Sequence, residues 1–168
     1  MSFNYQDSSF VSFAVTSEVA DRDQRLFEVN EDLTTETVDK LLAQASQRIL
    51  TQIRNTDWWR DYQFERNASL NNDVRKLPSV NPDNIIAREQ EFKDLNIYFA
   101  LADYVYPRVA DFGNETDSGV TKIKFYKDQY DSLFRELIES GDWYDFSADG
   151  NISTDEVKPV KLNLVRVR

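Results

Sequence analysis

Residues 33–54 read LTTETVDKLLAQASQRILTQIR, and this stretch decides the class of fold. Val38, Leu41, Leu42, Ala45, Ile49 and Ile53 recur at three- and four-residue steps, which places them on one face of a helix. Thr34 offers a side-chain oxygen where the first turn leaves N–H groups without partners, so it fits an N-cap, and Leu33 can staple against Val38. Glu36 sets a negative charge against the positive end of the helix dipole. The spacing predicts an amphipathic helix from Thr34 to about Arg54.

Two further stripes lie downstream. Ile85, Phe92, Leu95, Phe99, Ala102 and Tyr106 predict a second helix that opens near Pro82–Asp83, and Tyr98, Leu101 and Val105 widen its apolar face, so it should be central. Pro107 should end or kink it, and Gly113 can close the turn. Ile123, Tyr126, Tyr130, Leu133 and Leu137 mark a third helix with Gly141 as its stop. Lys124–Asp128, Lys127–Asp131 and Arg135–Glu139 are spaced for exposed ion pairs, each worth only a few tenths of a kcal/mol. Trp58, Trp59, Tyr62 and Phe64 read as core or core edge, with a subunit interface as the sharper alternative. Asn67 to Asn84 is turn-rich and reads as an irregular connection.

The expected fold class is therefore mainly α. It is a small antiparallel helical bundle of three to four main helices, with an extended N-terminal arm and an extended C-terminal β-type tail. The arm covers residues 1–31 and includes a short helix within Ser17 to Val29; the bundle covers 32–144; an Asp-rich loop and the tail cover 145–168.

Composition bounds the chemistry. With 168 residues, 40% of them hydrophobic, the chain can bury a real core. Its net charge of −10 repels nucleic-acid phosphates, since outside the tail the basic residues alternate with acids. There is no cysteine and no histidine, which removes disulfides, thiolate nucleophiles and the usual ligands of zinc, haem and iron–sulfur clusters. The opening Met-Ser-Phe-Asn-Tyr-Gln-Asp has neither the positive charge nor the apolar centre of an export signal. No apolar run approaches the ~20 residues of a membrane span, and the expectation is a soluble protein, intracellular when made, that does not contact membrane.

Residues 145–156, DFSADGNISTDE, match the spacing of a calcium-binding loop. Asp145, Ser147, Asp149, Asn151 through its carbonyl, and Glu156 are the candidate ligands for Ca2+; Gly150 takes the sixth place, and Ser153 could act through water. The competing reading is a surface turn in which Asp, Ser, Asn and Gly bond local backbone. Gly141 before the loop and Pro159 after it argue against flanking helices.

After Glu156 there is no acid. Val160, Leu162 and Leu164 alternate with Lys161 and Asn163, and Val165, Arg166, Val167 and Arg168 complete the chain. Period-two alternation predicts a strand, which must pair with the N-terminal arm or with another chain. The basic ends favour a partner protein, with Val160, Leu162, Leu164, Val165, Arg166, Val167 and Arg168 as the binding set.

The order of these features resembles a known family. Asp32-Leu33-Thr34-Thr35-Glu36-Thr37-Val38-Asp39-Lys40-Leu41-Leu42, followed by Ala45-Ser46-Gln47-Arg48-Ile49, is similar to the first bundle helix of head–tail connector (adaptor) proteins of tailed bacteriophages. The resemblance continues through the central helix, the Phe125-Tyr126 to Leu137 helix, the Asp149-Gly150 turn and the ending Leu164-Val165-Arg166. It implies a structural virion protein at the head–tail junction, self-assembled as a homo-oligomeric ring, usually of twelve copies. The tail would insert into the portal protein, the other face would receive a neck or tail protein, and genomic DNA would pass through without sequence-specific binding. The chain is accordingly read as no enzyme. A carboxylate hydrolase would need two acids at a fixed separation, and nothing in the sequence fixes one among Asp57, Asp61, Asp103 and Asp111.

Overall fold

The computed structural model describes residues 10–30, 33–111, 113 and 118–157, with the backbone alone at Val29. The short helix expected within Ser17 to Val29 is present as two, α1 (Thr16–Arg22) and α2 (Gln24–Val29), split at Asp23. Neither is long enough to stand alone in water; both are held by the bundle. Val19 and Leu26 are buried in the common core. Ahead of α1, the Phe13 ring lies 5.4 Å from that of Phe92.

Helix α3 (Thr35–Arg54) carries the predicted stripe: Val38, Leu41, Leu42, Ala45, Ile49 and Ile53 are all buried. Thr34 caps it as expected, its hydroxyl accepting from the Thr37 amide at 3.3 Å. Next comes a helix that the apolar pattern did not single out: α4 (Asp57–Arg66), capped by Thr56, whose hydroxyl accepts from the Trp59 amide at 3.3 Å. Trp58, Trp59 and Tyr62 on α4 are buried within the chain, as the core reading requires. The connection over 67–84 is built from three 3-10 turns, each opened by a side-chain acceptor: Asn67, Asp73 and Asn81.

The second predicted helix starts later than the sequence suggested. Pro82–Asn84 is a separate turn, and α5 runs Glu89–Phe99. The chain continues through a π turn, Ala100–Val105, into α6 (Tyr106–Val109). Pro107 explains the wide turn. It has no N–H to donate, and its ring crowds the carbonyl four residues back. A register in which the Tyr106 amide reaches the Leu101 carbonyl takes up that misfit.

Helix α7 (Ser118–Ser140) packs on α5, the π turn and α6, while α3 covers α5 and the π turn. Tyr126, Tyr130 and Leu137 are buried on its predicted face, and Gly141, at φ +59°, ends it by donating to the Leu137 carbonyl at 3.1 Å. The ion pairs expected along α7 are replaced, among the described residues, by pairs to other elements: Lys122 with Asp23 at 2.7 Å and Glu136 with Arg88 at 3.4 Å.

The architecture is thus mainly helical, a bundle built on α3, the α5–α6 rod and α7. Among the described residues there is no strand, only one antiparallel bridge between Ile85 and Tyr144. The expected β-type tail, with the binding set Val160 to Arg168, lies outside them. No described helix is long and apolar enough to cross a membrane.

Candidate functional site

The site nearest the tail is built on the chain just beyond α7. Trp143 is fully buried and donates from Nε1 to the Leu137 carbonyl at 2.7 Å. The backbone here docks on residues 84–86: Ile86 N–H reaches the Trp143 carbonyl at 3.1 Å, and Asp145 N–H reaches the Asn84 carbonyl at 2.8 Å. Phe146 then stacks on Tyr62, ring centroids 3.5 Å apart, and lies 5.2 and 5.3 Å from Trp58 and Trp59. The loop thus begins packed against the aromatic core.

Two carboxylates organise the loop over residues 145–156. Asp145 is 2% exposed. Its Oδ1 accepts from the Ala148 amide at 2.7 Å and the Ser147 hydroxyl at 3.1 Å, and its Oδ2 accepts from the Gly150 amide at 2.7 Å. Glu156, also 2% exposed, accepts from the Ser147 amide at 2.7 Å on Oε1, and from the Ser153 amide at 2.8 Å and hydroxyl at 2.9 Å on Oε2. Ala148 and Gly150 both take positive φ, +56° and +88°, which bends the chain tightly enough for Asp145 to reach its own downstream amides. A Cβ at Gly150 would touch nothing, so conformation rather than space favours glycine there.

Burial alone would raise the Asp145 carboxyl; the amides of Gly150 and Ala148 and the Ser147 hydroxyl outweigh it and hold the group below the usual carboxylate range. Glu156 behaves the same way. Burial pushes it up, and the donors on Ser153 and Ser147 bring it down further. Both groups are therefore anions in a nest of N–H donors.

Of the calcium candidates, the loop brings Asp145, Ser147 and Glu156 together. Asp149 stays exposed and accepts from the Asn151 amide at 2.9 Å, and Asn151 is exposed beside it. Among the described residues no three acidic side chains are grouped to hold a metal ion. The oxygens that a cation would need are engaged with the chain's own amides, as in the competing turn reading, with the difference that the two main acceptors are buried.

The acids weighed for hydrolysis lie on three separate stretches of the chain. Asp57, paired with Arg60, and Asp61 are on α4, Asp103 is exposed on the π turn, and Asp111 accepts from Gly113 N–H at 2.9 Å beyond α6.

Sequence reasoning missed a second buried polar cluster. The Asp23 carboxylate, at the α1–α2 break, accepts from the Tyr106 hydroxyl, from Lys122 Nζ at 2.7 Å and from the Tyr126 hydroxyl at 3.4 Å. Burial would raise its pKa, but Lys122 and Tyr106 hold it below the ordinary value. The available signal was the interruption itself, an Asp between two short apolar runs. A third cluster, Asn96 donating to Ser46 Oγ at 2.7 Å with Phe13 N–H on the same oxygen at 3.1 Å, fixes the chain just ahead of α1 against α3 and α5.

No family model matches the chain, and neither the curated proteins nor the solved structures give a match.

Proposed function

We propose that the chain is a structural assembly subunit, a head–tail connector (adaptor) of a tailed bacteriophage. It forms a ring against the portal, receives the next neck or tail component on its other face, and lets DNA pass. The observation that supports the reading is the agreement between the resembling segments and the helical body: α3, the α5–α6 rod and α7 occur in the order and near the positions that the resemblance implies. The site chemistry is compatible with it, since the conspicuous acids Asp145, Glu156 and Asp23 are spent on internal bonds.

Residues 158–168 carry four basic side chains and no acid, so the body before them holds a net charge of −14 against −10 for the whole chain. An acidic body suits a channel that DNA must not stick to, and a basic strand suits insertion into an acidic partner groove. The test mixes the purified chain with portal rings of the same particle and images the product. Stacked rings that disappear when residues 160–168 are deleted support the proposal. Absence of binding by the intact chain, or binding unaffected by the deletion, overturns it.

A further inference from the structure

We propose that Asp145 and Glu156 are positioning residues for the tail: they make the loop a rigid mount that fixes where, and in which direction, the chain leaves the body at Val157. The proposal rests on the docking role given to the tail above. Four observations carry it.

The loop is anchored where it begins. Phe146 stacks on Tyr62, and the Asp145 amide is bonded to Asn84. The loop is also cross-tied, because Glu156 reaches back nine positions to Ser147 while also holding Ser153. The exit is held as well: Glu156 N–H and Val157 N–H both donate to the Ser153 carbonyl, at 3.0 and 3.3 Å, and the Arg66 guanidinium on α4 donates to the Asp155 carbonyl at 3.1 Å. Finally, burying two carboxylates is costly unless each is fully bonded. A surface turn has no need of that, since Asp149 caps its own turn from an exposed position.

A strand that docks by main-chain bonds loses affinity to the ordering of its own chain, and a fixed exit reduces that loss. The mount does by internal amide bonds what a metal ion does in loops of this spacing. It should therefore work without one.

The test uses Glu156→Gln. The neutral amide has one acceptor oxygen in place of two, so one of the amides of Ser147 and Ser153 must face an NH2 group. The chain contains no cysteine, so Lys158→Cys supplies a single thiol for a fluorescent dye, read by time-resolved anisotropy. Affinity for portal rings is measured on the unlabelled full-length chain, with a synthetic peptide of residues 157–168 as the reference for a tail without a mount. Glu156→Gln should lower the melting midpoint, since it breaks buried bonds, yet keep the far-UV circular dichroism of the folded body at the parent level; it should add a fast local component to the dye's depolarisation and weaken portal binding about tenfold toward the value of the free peptide. Ser153→Ala, which removes one bond and keeps the charge, should give a smaller change in the same direction, and it remains informative if Glu156→Gln folds poorly. The proposal is overturned if amide exchange shows the Ser147 and Ser153 bonds lost while dye motion and affinity stay at the parent level. If the parent chain does not bind portal yet Glu156→Gln frees the dye, the docking role falls and the mount stands.

Discussion

Asp23→Asn will destabilise the fold by about 2 kcal/mol, and the figure can be worked from the site. The carboxylate is 7% exposed and receives one lysine and two tyrosine donors. Asparagine keeps an acceptor oxygen for Tyr106, so the main loss is the charge-assisted bond from Lys122. Such bonds are worth about 1.5–3 kcal/mol, and the lower half applies here because the Lys122 side chain is 38% exposed and can turn to water. Asp23→Ala goes further. It removes the acceptor of the buried Tyr126 hydroxyl and of the Tyr106 O–H, whose oxygen still accepts from Lys122 at 2.9 Å, and this adds about 1–3 kcal/mol. Urea unfolding followed by far-UV circular dichroism gives both numbers, and a cycle with Lys122→Met isolates the pair. The pH dependence has a definite sign. Asp23 sits below its ordinary value of 3.8 in the folded chain, so its stabilisation is present above that pH and is lost as the pH falls through the lower folded value. The parent should therefore lose stability more steeply than Asp23→Asn on the acid side. A variant as stable as the parent, with no coupling in the cycle, would show that the cluster is incidental to the fold.

Named contacts give three further outcomes. Trp143→Phe should cost about 1–3 kcal/mol more than Trp59→Phe by thermal melting, because both lose the same ring volume but only Trp143 loses a bonded N–H, whereas the buried Trp59 Nε1 has no partner. Millimolar calcium should leave the melting midpoint where it is, since Asp145 and Glu156 each already accept two amides and one hydroxyl of the loop; an upward shift that grows with calcium concentration would contradict this. Alkaline unfolding should begin above pH 10. Burial pushes the Tyr126 and Tyr144 hydroxyls up to about 12 and raises Tyr106 and Tyr130 as well, so their contribution is complete below the ordinary value of 10.0 and is lost as the pH rises toward the folded values. Absorbance at the tyrosinate band, tracked beside circular dichroism, checks whether ionisation and unfolding coincide.

The features legible in the sequence were those that depend on period. α3 and α7 could be read from three–four spacing because each presents one apolar stripe to one core, and the Thr34 cap and Gly141 stop are local in the chain. α4 was not singled out because Trp58, Trp59 and Tyr62 sit among Asp57, Arg60, Asp61 and Arg66, which blunts the stripe; the Thr56 cap was the signal that could have found it. The late start of α5 and the π turn depend on how Pro82 and Pro107 are accommodated, and proline marks a disturbance without saying which remedy the chain adopts. The loop at 145–156 shows a deeper ambiguity. The residue types that ligate calcium are the same ones that accept from backbone amides. The Ser147–Glu156 pairing spans nine residues, and no local pattern encodes it.

The three buried polar clusters share a position that accounts for them. A helix satisfies its own backbone, so α3, α5 and α7 can meet through apolar stripes alone. The segments that are not helical cannot do this. Their amides need acceptors, and where no backbone carbonyl is in reach a side chain supplies one. Ser46, held by Asn96, serves the amide of Phe13; Asp145 and Glu156 serve the amides of Ser147, Ala148, Gly150 and Ser153. Asp23 serves a related need where α1 breaks into α2, by tying that break to α6 and α7. In each case the polar group fixes one arrangement of a segment that apolar packing would leave free to slide. Buried acids in this chain therefore mark the joints between irregular segments and the bundle. The docking role proposed for the tail turns on where those joints aim the chain at Val157.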